Sequence, residues 1–133
     1  MGMKTLPLQS ERKIEFIDIT AAAEEFVRTS GCEQGVLLVF SPHTTAGITI
    51  NENADPAVGC DLREFFLRRV PSEKYFRHLE GNSPAHIMSS LVTSSTTLIV
   101  ENGRLLLGRW QGIFFCEFDG PRRRQVHLKL IAG

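Results

Sequence analysis

Thr96-Thr-Leu-Ile-Val-Glu-Asn-Gly-Arg-Leu-Leu-Leu107, then Gly112-Ile-Phe-Phe-Cys-Glu-Phe118, then Gln125-Val-His-Leu-Lys-Leu-Ile131 decide the fold class of this chain. Each run is short, apolar and rich in residues that suit a pleated surface. Asn102-Gly103 between Thr96–Glu101 and Arg104–Leu107 is the strongest short signal for a two-residue hairpin, because both positions tolerate positive φ. Asp119-Gly120-Pro121 joins the next two runs through another turn. Along the run 112–118, Ile113, Phe115 and Glu117 alternate with Phe114, Cys116 and Phe118, so Glu117 stands in a row that is otherwise apolar. A carboxylate in that setting is either paired to an arginine, with Arg104, Arg109 and Arg122 available, or held for catalysis; pairing is the commoner case.

Working outward, Lys13–Ile19 and Gly35–Phe40 read as further strands. Three helices fit between them. Thr20 can cap a helix over Ala21–Thr29, with Gly31 just past its end. Asp55-Pro56 opens a second, with Leu62, Phe65, Phe66 and Val70 on one face until Pro71 stops it. Ser83-Pro84 opens a third, reaching about Val92. The expectation is α+β: mainly antiparallel sheets in a sandwich-like single domain over residues 1–133, with about three helices. No Gly-rich loop follows a strand and opens a helix, so a doubly wound nucleotide fold and a nucleotide cofactor are disfavoured.

Lys+Arg and Asp+Glu each total 15 in 133 residues, so no global field attracts nucleic acid or an anionic membrane. The basic run Arg122-Arg123-Arg124 reads as a solvated strand start. Cys32, Cys60 and Cys116 are widely spaced and odd in number, which argues against a disulfide framework and for a reducing, cytoplasmic compartment. Met-Gly-Met-Lys carries no apolar leader, Leu6 stands where a myristoylation signal wants Ser or Thr, and no run approaches the ~18 apolar residues of a membrane span.

Three of the four histidines, His43, His78 and His86, fall in the polar stretch Ser41–Ser90, together with Asn51, Glu52, Asp55, Asp61, Glu80 and Asn82. Imidazole either ligates a transition metal or moves protons near neutral pH. Read as a strand, 43–52 places His43, Thr45, Gly47, Thr49 and Asn51 on one face and Ala46, Ile48 and Ile50 on the other. An exposed Thr-rich strand without a ligand gives the same pattern. His78 falls in a loop, and His86 in the first turn of the helix capped by Ser83, where free amide hydrogens and the helix dipole suit a phosphate. The His-x7-His spacing matches no standard zinc motif, and an unliganded surface histidine is the simpler account of each taken singly. Gly108-Arg109-Trp110-Gln111-Gly112 adds a flat aromatic wall and an amide between glycines. His127 shares a strand face with Lys129 and reads as solvated.

Ser41-Pro-His-Thr-Thr-Ala-Gly-Ile-Thr-Ile-Asn-Glu-Asn-Ala-Asp-Pro56, Gly81-Asn82 with Ala85-His86-Ile87, and Gly108–Phe114 together closely resemble the YjbQ-type family, whose members are also called secondary thiamine-phosphate synthase enzymes. The likeness runs from Phe16 to Leu130 and departs at Arg109, where the family pattern has Thr. The resemblance implies a homotrimer with its sheets packed around a threefold axis and a histidine site near subunit boundaries. It also implies weak joining of a pyrimidine methyl diphosphate to a thiazole phosphate. The candidates for that chemistry are His43, His78, His86 and Glu117 as catalytic groups, and the same three histidines as ligands of a divalent ion. That ion would be zinc or another transition metal, or magnesium with a diphosphate substrate. Thr45, Asn51, Asn82, Trp110 and Gln111 are candidates for contacts to a small phosphorylated metabolite. Metal-assisted hydrolysis of such a metabolite, or a non-catalytic trimeric ligand-binding module, fits the same residues.

Overall fold

A computed structural model describes residues 2–70 and 75–133. Eight strands and three helices follow in the order β1 (Met3–Gln9), β2 (Glu15–Asp18), α1 (Thr20–Ser30), β3 (Gln34–Phe40), β4 (Ala46–Glu52), α2 (Pro56–Arg69), α3 (Ser83–Leu91), β5 (Ser95–Glu101), β6 (Arg104–Leu105), β7 (Gln111–Glu117) and β8 (Arg123–Ala132). All pairings are antiparallel, in a five-stranded sheet of order β1-β8-β3-β5-β6 and a three-stranded sheet of order β2-β7-β4. The α+β reading with three helices and antiparallel sheets holds.

The Asn102-Gly103 hairpin forms as expected: Glu101 pairs with Arg104 across a turn with φ of 54° and 75°. The second turn does something else. β7 and β8 are not paired with one another; the chain between them leaves the small sheet and enters the large one. Their inner faces then meet across the sandwich. Phe115, Ile113, Ile48 and Ala46 from the small sheet pack on Val126, Leu128, Leu37 and Val39 from the large one, with Ala23 and Val27 of α1 closing an end. Burial of a side chain such as Leu or Phe is worth about 1.5–3 kcal/mol, so this layer is the main source of stability.

The other face of the small sheet is covered by α2 and α3, through Phe16, Cys116 and Phe118 against Phe66, Ala85 and Met88. Of the apolar face expected on α2, Phe66 and Val70 join this cluster while Phe65 is 56% exposed. Asp55 caps α2 by accepting the Ala57 N–H at 2.9 Å. Pro71, the expected stop, lies outside the described residues. α1 begins at Thr20 itself, and Ile19 occupies the cap position. The Thr20 hydroxyl instead accepts the Ile113 N–H at 2.8 Å, pinning the helix to β7.

One strand is added and one expectation changes. Pro7 interrupts the alternation of β1, which the sequence does not signal; it is an edge strand, the place where a residue without an N–H is tolerated. β4 starts at Ala46, so His43 and Thr45 precede the strand rather than lie on it.

The outer face of the large sheet carries Val36, Leu38 and Phe40 beside Ile99 and Ile131, the last two more than half exposed. No helix among the described residues is long and apolar enough to cross a membrane.

Candidate functional site

β3 ends at Phe40, and Pro42 cannot donate to a ladder. The β3–β8 register, with Phe40 opposite His127, would put Pro42 opposite Gln125. The Gln125 backbone groups left over there are taken by a side chain: His43 Nε2 lies 3.1 Å from both the Gln125 amide nitrogen and its carbonyl oxygen. The imidazole therefore continues the sheet where the chain has left it, with its ring edge-on to Phe115 at 6.1 Å. Burial lowers its pKa, the positive charge of Arg124 lowers it further, and the bond to Gln125 opposes them only in part. The balance favours the neutral imidazole.

Below it lies a buried ion pair that ties the two sheets together. Glu117 on β7 is fully buried and accepts hydrogen bonds from Arg124 Nε at 2.9 Å, the Ser10 hydroxyl at 2.6 Å and the Asp119 N–H at 3.1 Å. Arg124 on β8 also donates through Nη2 to Thr45 Oγ1 at 2.8 Å and to the Thr45 carbonyl at 3.2 Å. Burial alone would raise the Glu117 carboxyl, but the bonds from Arg124, Ser10 and Asp119 outweigh it and hold its pKa below the ordinary range. The arginine partner is thus Arg124, not Arg104, Arg109 or Arg122, and the end of the basic run is buried rather than solvated. Arg122 pairs with Asp119 at 3.0 Å. Gly120 is tucked against this network: a Cβ there would lie 2.8 Å from Ser10 Oγ and 2.9 Å from Glu117 Cγ.

α3 brings the second histidine motif to the same place. His86 in its first turn and His78 in the preceding loop stand perpendicular, ring centres 5.1 Å apart. Asn82, not Ser83, occupies the cap position, and its side chain turns away from the helix to donate to Asp119 at 2.9 Å. The result is a cleft of about 350 Å³ lined by His43, His78, His86, Arg122 and Arg124, with Pro42, Thr44, Thr45, Glu80 and Asn82.

The three imidazoles share the cleft without converging on a point. Among the described residues no set of three His, Cys, Asp or Glu side chains is placed to hold an ion, and His43 turns Nε2 to the backbone. The donor set does not fit a three-histidine metal centre. It fits an anion better, being rich in N–H donors and arginines with Glu80 the one carboxylate in the lining.

The expected substrate contacts divide. Thr45 and Asn82 belong to the cleft. Asn51, Trp110 and Gln111 lie at the opposite end of the small sheet, where Asn51 faces Gly112 and Glu52 faces Gln111. Five residues of β7 lie between Gln111 and Glu117, which sets them roughly 20 Å apart along the strand. Gln111 folds back onto the Gly108 N–H at 2.7 Å, Asn51 accepts the Glu52 N–H, and Trp110 stands half exposed under the Arg109 guanidinium. The sequence does not single out Arg124 or Ser10, and Arg122 enters it only as an available partner for Glu117. The one available signal was a carboxylate at 117 in an apolar row, which demanded a buried cation within a strand's reach.

Residues 4–133 match the family model described as UPF0047 protein YjbQ-like. The chain is 52% identical to UPF0047 protein YugU of Bacillus subtilis, covering 97% of this chain and 98% of that one. It is 50% identical to UPF0047 protein MJ1081 of Methanocaldococcus jannaschii, covering 93% and 90%. The crystal structure of an uncharacterized conserved protein of the YjbQ/UPF0047 family from Clostridium acetobutylicum superposes with a TM-score of 0.93 at 50% identity, over 96% of this chain and 99% of that one. A hypothetical protein from Aeropyrum pernix gives the same TM-score at 35% identity over the whole of both chains.

Proposed function

The chain belongs to the YjbQ-like UPF0047 family, and we propose that it is an enzyme acting on a small phosphorylated metabolite bound in the histidine cleft. The observation that carries this reading is that three separate segments deliver His43, His78 and His86 to one cleft beside two arginines. As the sequence resemblance implies, the reaction is the joining of a pyrimidine methyl diphosphate to a thiazole phosphate. The methylene C–O bond breaks, pyrophosphate leaves with the electron pair, and the thiazole nitrogen attacks the methylene carbon to make the C–N bond. His78 and His86, at the start of α3, donate hydrogen bonds to the departing pyrophosphate. Charge accumulates on that group in the transition state, so fixed donors there lower the barrier. The step releases no proton, so His43, seated on Gln125, serves to position the substrate in the cleft.

Purified protein incubated with both substrates is expected to yield thiamine phosphate and pyrophosphate in equal amounts. Inorganic phosphate without the coupled product would identify a hydrolase instead, and ligand binding without turnover a binding module. His43→Gln, His78→Gln and His86→Gln are each expected to lower kcat/KM by about 10²–10⁴-fold, with the double variants little worse, because groups that act as a unit are not additive. Additive losses would show three independent sites and sink the single-cleft reading.

The assembly we propose is the homotrimer, with the outer face of the large sheet as its contact surface. Ile99 and Ile131 flank Val36 there, and Leu38 and Phe40 extend the apolar row along β3; apolar patches on protein surfaces mark contact surfaces. Light scattering on the eluting protein is expected to give three times the chain mass, and the monomer mass for Phe40→Glu/Ile99→Lys. A trimer that survives both charges would place the contact elsewhere.

A further inference from the structure

Arg124 is the cation of the cleft whose position is most firmly determined. Its side chain is 4% exposed. Nε and Nη2 are committed to Glu117 and Thr45. A guanidinium has five N–H donors in a rigid plane, so three are committed inward and the two on Nη1 remain. Nη1 donates to no described residue. Nor is it one of the sealed unpartnered polar atoms, which are Ser41 Oγ and Asn82 Oδ1. Since Arg124 lines the cleft with the imidazoles, the uncommitted edge is the one that meets it.

The carboxylate of Glu117 lies behind this guanidinium, so the pair is a fixed dipole with its positive end toward the cleft. A buried guanidinium held on two sides has already lost its rotational freedom, and a ligand that bonds to it pays no further ordering cost. With its Nε–Nη2 edge given to Glu117 and Thr45, the guanidinium meets a phosphate oxygen through the charge-assisted N–H groups of Nη1 alone.

We propose that Arg124 Nη1 is the phosphate-recognition group of this cleft, seating a phosphoryl group between itself and the imidazoles of His78 and His86, with Glu117 as the residue that positions it. This rests on the phosphorylated-metabolite reading above and adds what holds the phosphate. Glu117 is accordingly a positioning residue: of the two roles its place in the sequence allows, it takes the arginine pairing rather than catalysis.

The test uses inorganic phosphate and pyrophosphate as probes, with calorimetric titration of the full chain. Glu117→Leu/Arg124→Met removes the pair together, so that no buried charge is left alone. With its circular dichroism unchanged, this variant is expected to bind pyrophosphate about 10- to 100-fold more weakly, the value of one or two hydrogen bonds to a charged group. A second measurement needs no substitution. In wild type carrying ¹⁵N-arginine, the guanidinium with cross-peaks to Thr45 is expected to shift its Nη signals as pyrophosphate is added. Wild-type affinity in the folded double variant, or no movement of that signal on binding, overturns the assignment. Should wild type bind neither probe, the phosphorylated-metabolite reading falls and takes this one with it. Should His86→Gln weaken binding while the double variant does not, the assignment to Arg124 alone falls.

Discussion

Replacing Arg124 alone by methionine is expected to cost about 3–5 kcal/mol of folding stability, because the Glu117 carboxylate is left buried without its cation. Removing both charges as Glu117→Leu/Arg124→Met is expected to cost little or nothing, since a buried ion pair repays roughly its own desolvation. The surroundings support this difference. Ser10 keeps the Arg122 carbonyl at 3.0 Å as an alternative acceptor, and the Thr45 carbonyl keeps the Phe118 N–H at 3.2 Å. Urea titrations of wild type, single and double variants measure the contrast; equal losses in single and double would show that the pair contributes net stability. Acid adds a second signature. Glu117 is held below the usual carboxylate range in the fold, so its contribution is present above the unfolded value, about 4.3, and is lost as pH falls through the folded one. Wild type is expected to lose stability more steeply than the double variant on acidification below about pH 5.

Phe115→Ala is expected to destabilise the protein by about 3–5 kcal/mol, the range for truncating a large buried aromatic. Phe115 has no exposed surface and sits in the layer between the sheets. Its effect should reach the cleft as well, because the ring is the wall on which His43 rests. Where enough of the variant is folded, pyrophosphate affinity should fall together with the chemical-shift signature of the His43–Gln125 bond. A folded variant with His43 unperturbed would show that the backbone of Gln125 alone holds the imidazole.

Much of the fold could be read from the chain because it rests on local signals. Asn102-Gly103 admits few alternatives to a hairpin, and Asp55-Pro56 opens α2 as such pairs do. What escaped was set by distant partners. Whether the turn at Asp119–Pro121 closes a hairpin or turns a corner depends on β1 and β3 competing for β8, which no window around residue 120 contains. The three histidines were found because the residue type is informative. Arg124 was not, because a basic triplet looks solvated until Glu117, seven positions earlier, is known to face it from the other sheet. Trp110 and Gln111 looked like companions of the histidines by chemistry alone, and the length of β7 separates them.

The place of β8 has a consequence for how the chain acquires its shape. It lies between β1 and β3, pairing Met3 with Lys129 and Val36 with Ile131. It is also translated after every other element described. A nascent chain can form its hairpin and helices early, but the larger sheet lacks the strand that joins β1 to β3 until β8 has been made. Until then β1 has no neighbour and the apolar inner edge of β3 is open. Pairings over such sequence separations are slow to form, and the interval exposes strands that a second chain can capture. β8 therefore adds to the open edge of β3, and β1, made before every other element described, is left to pair last.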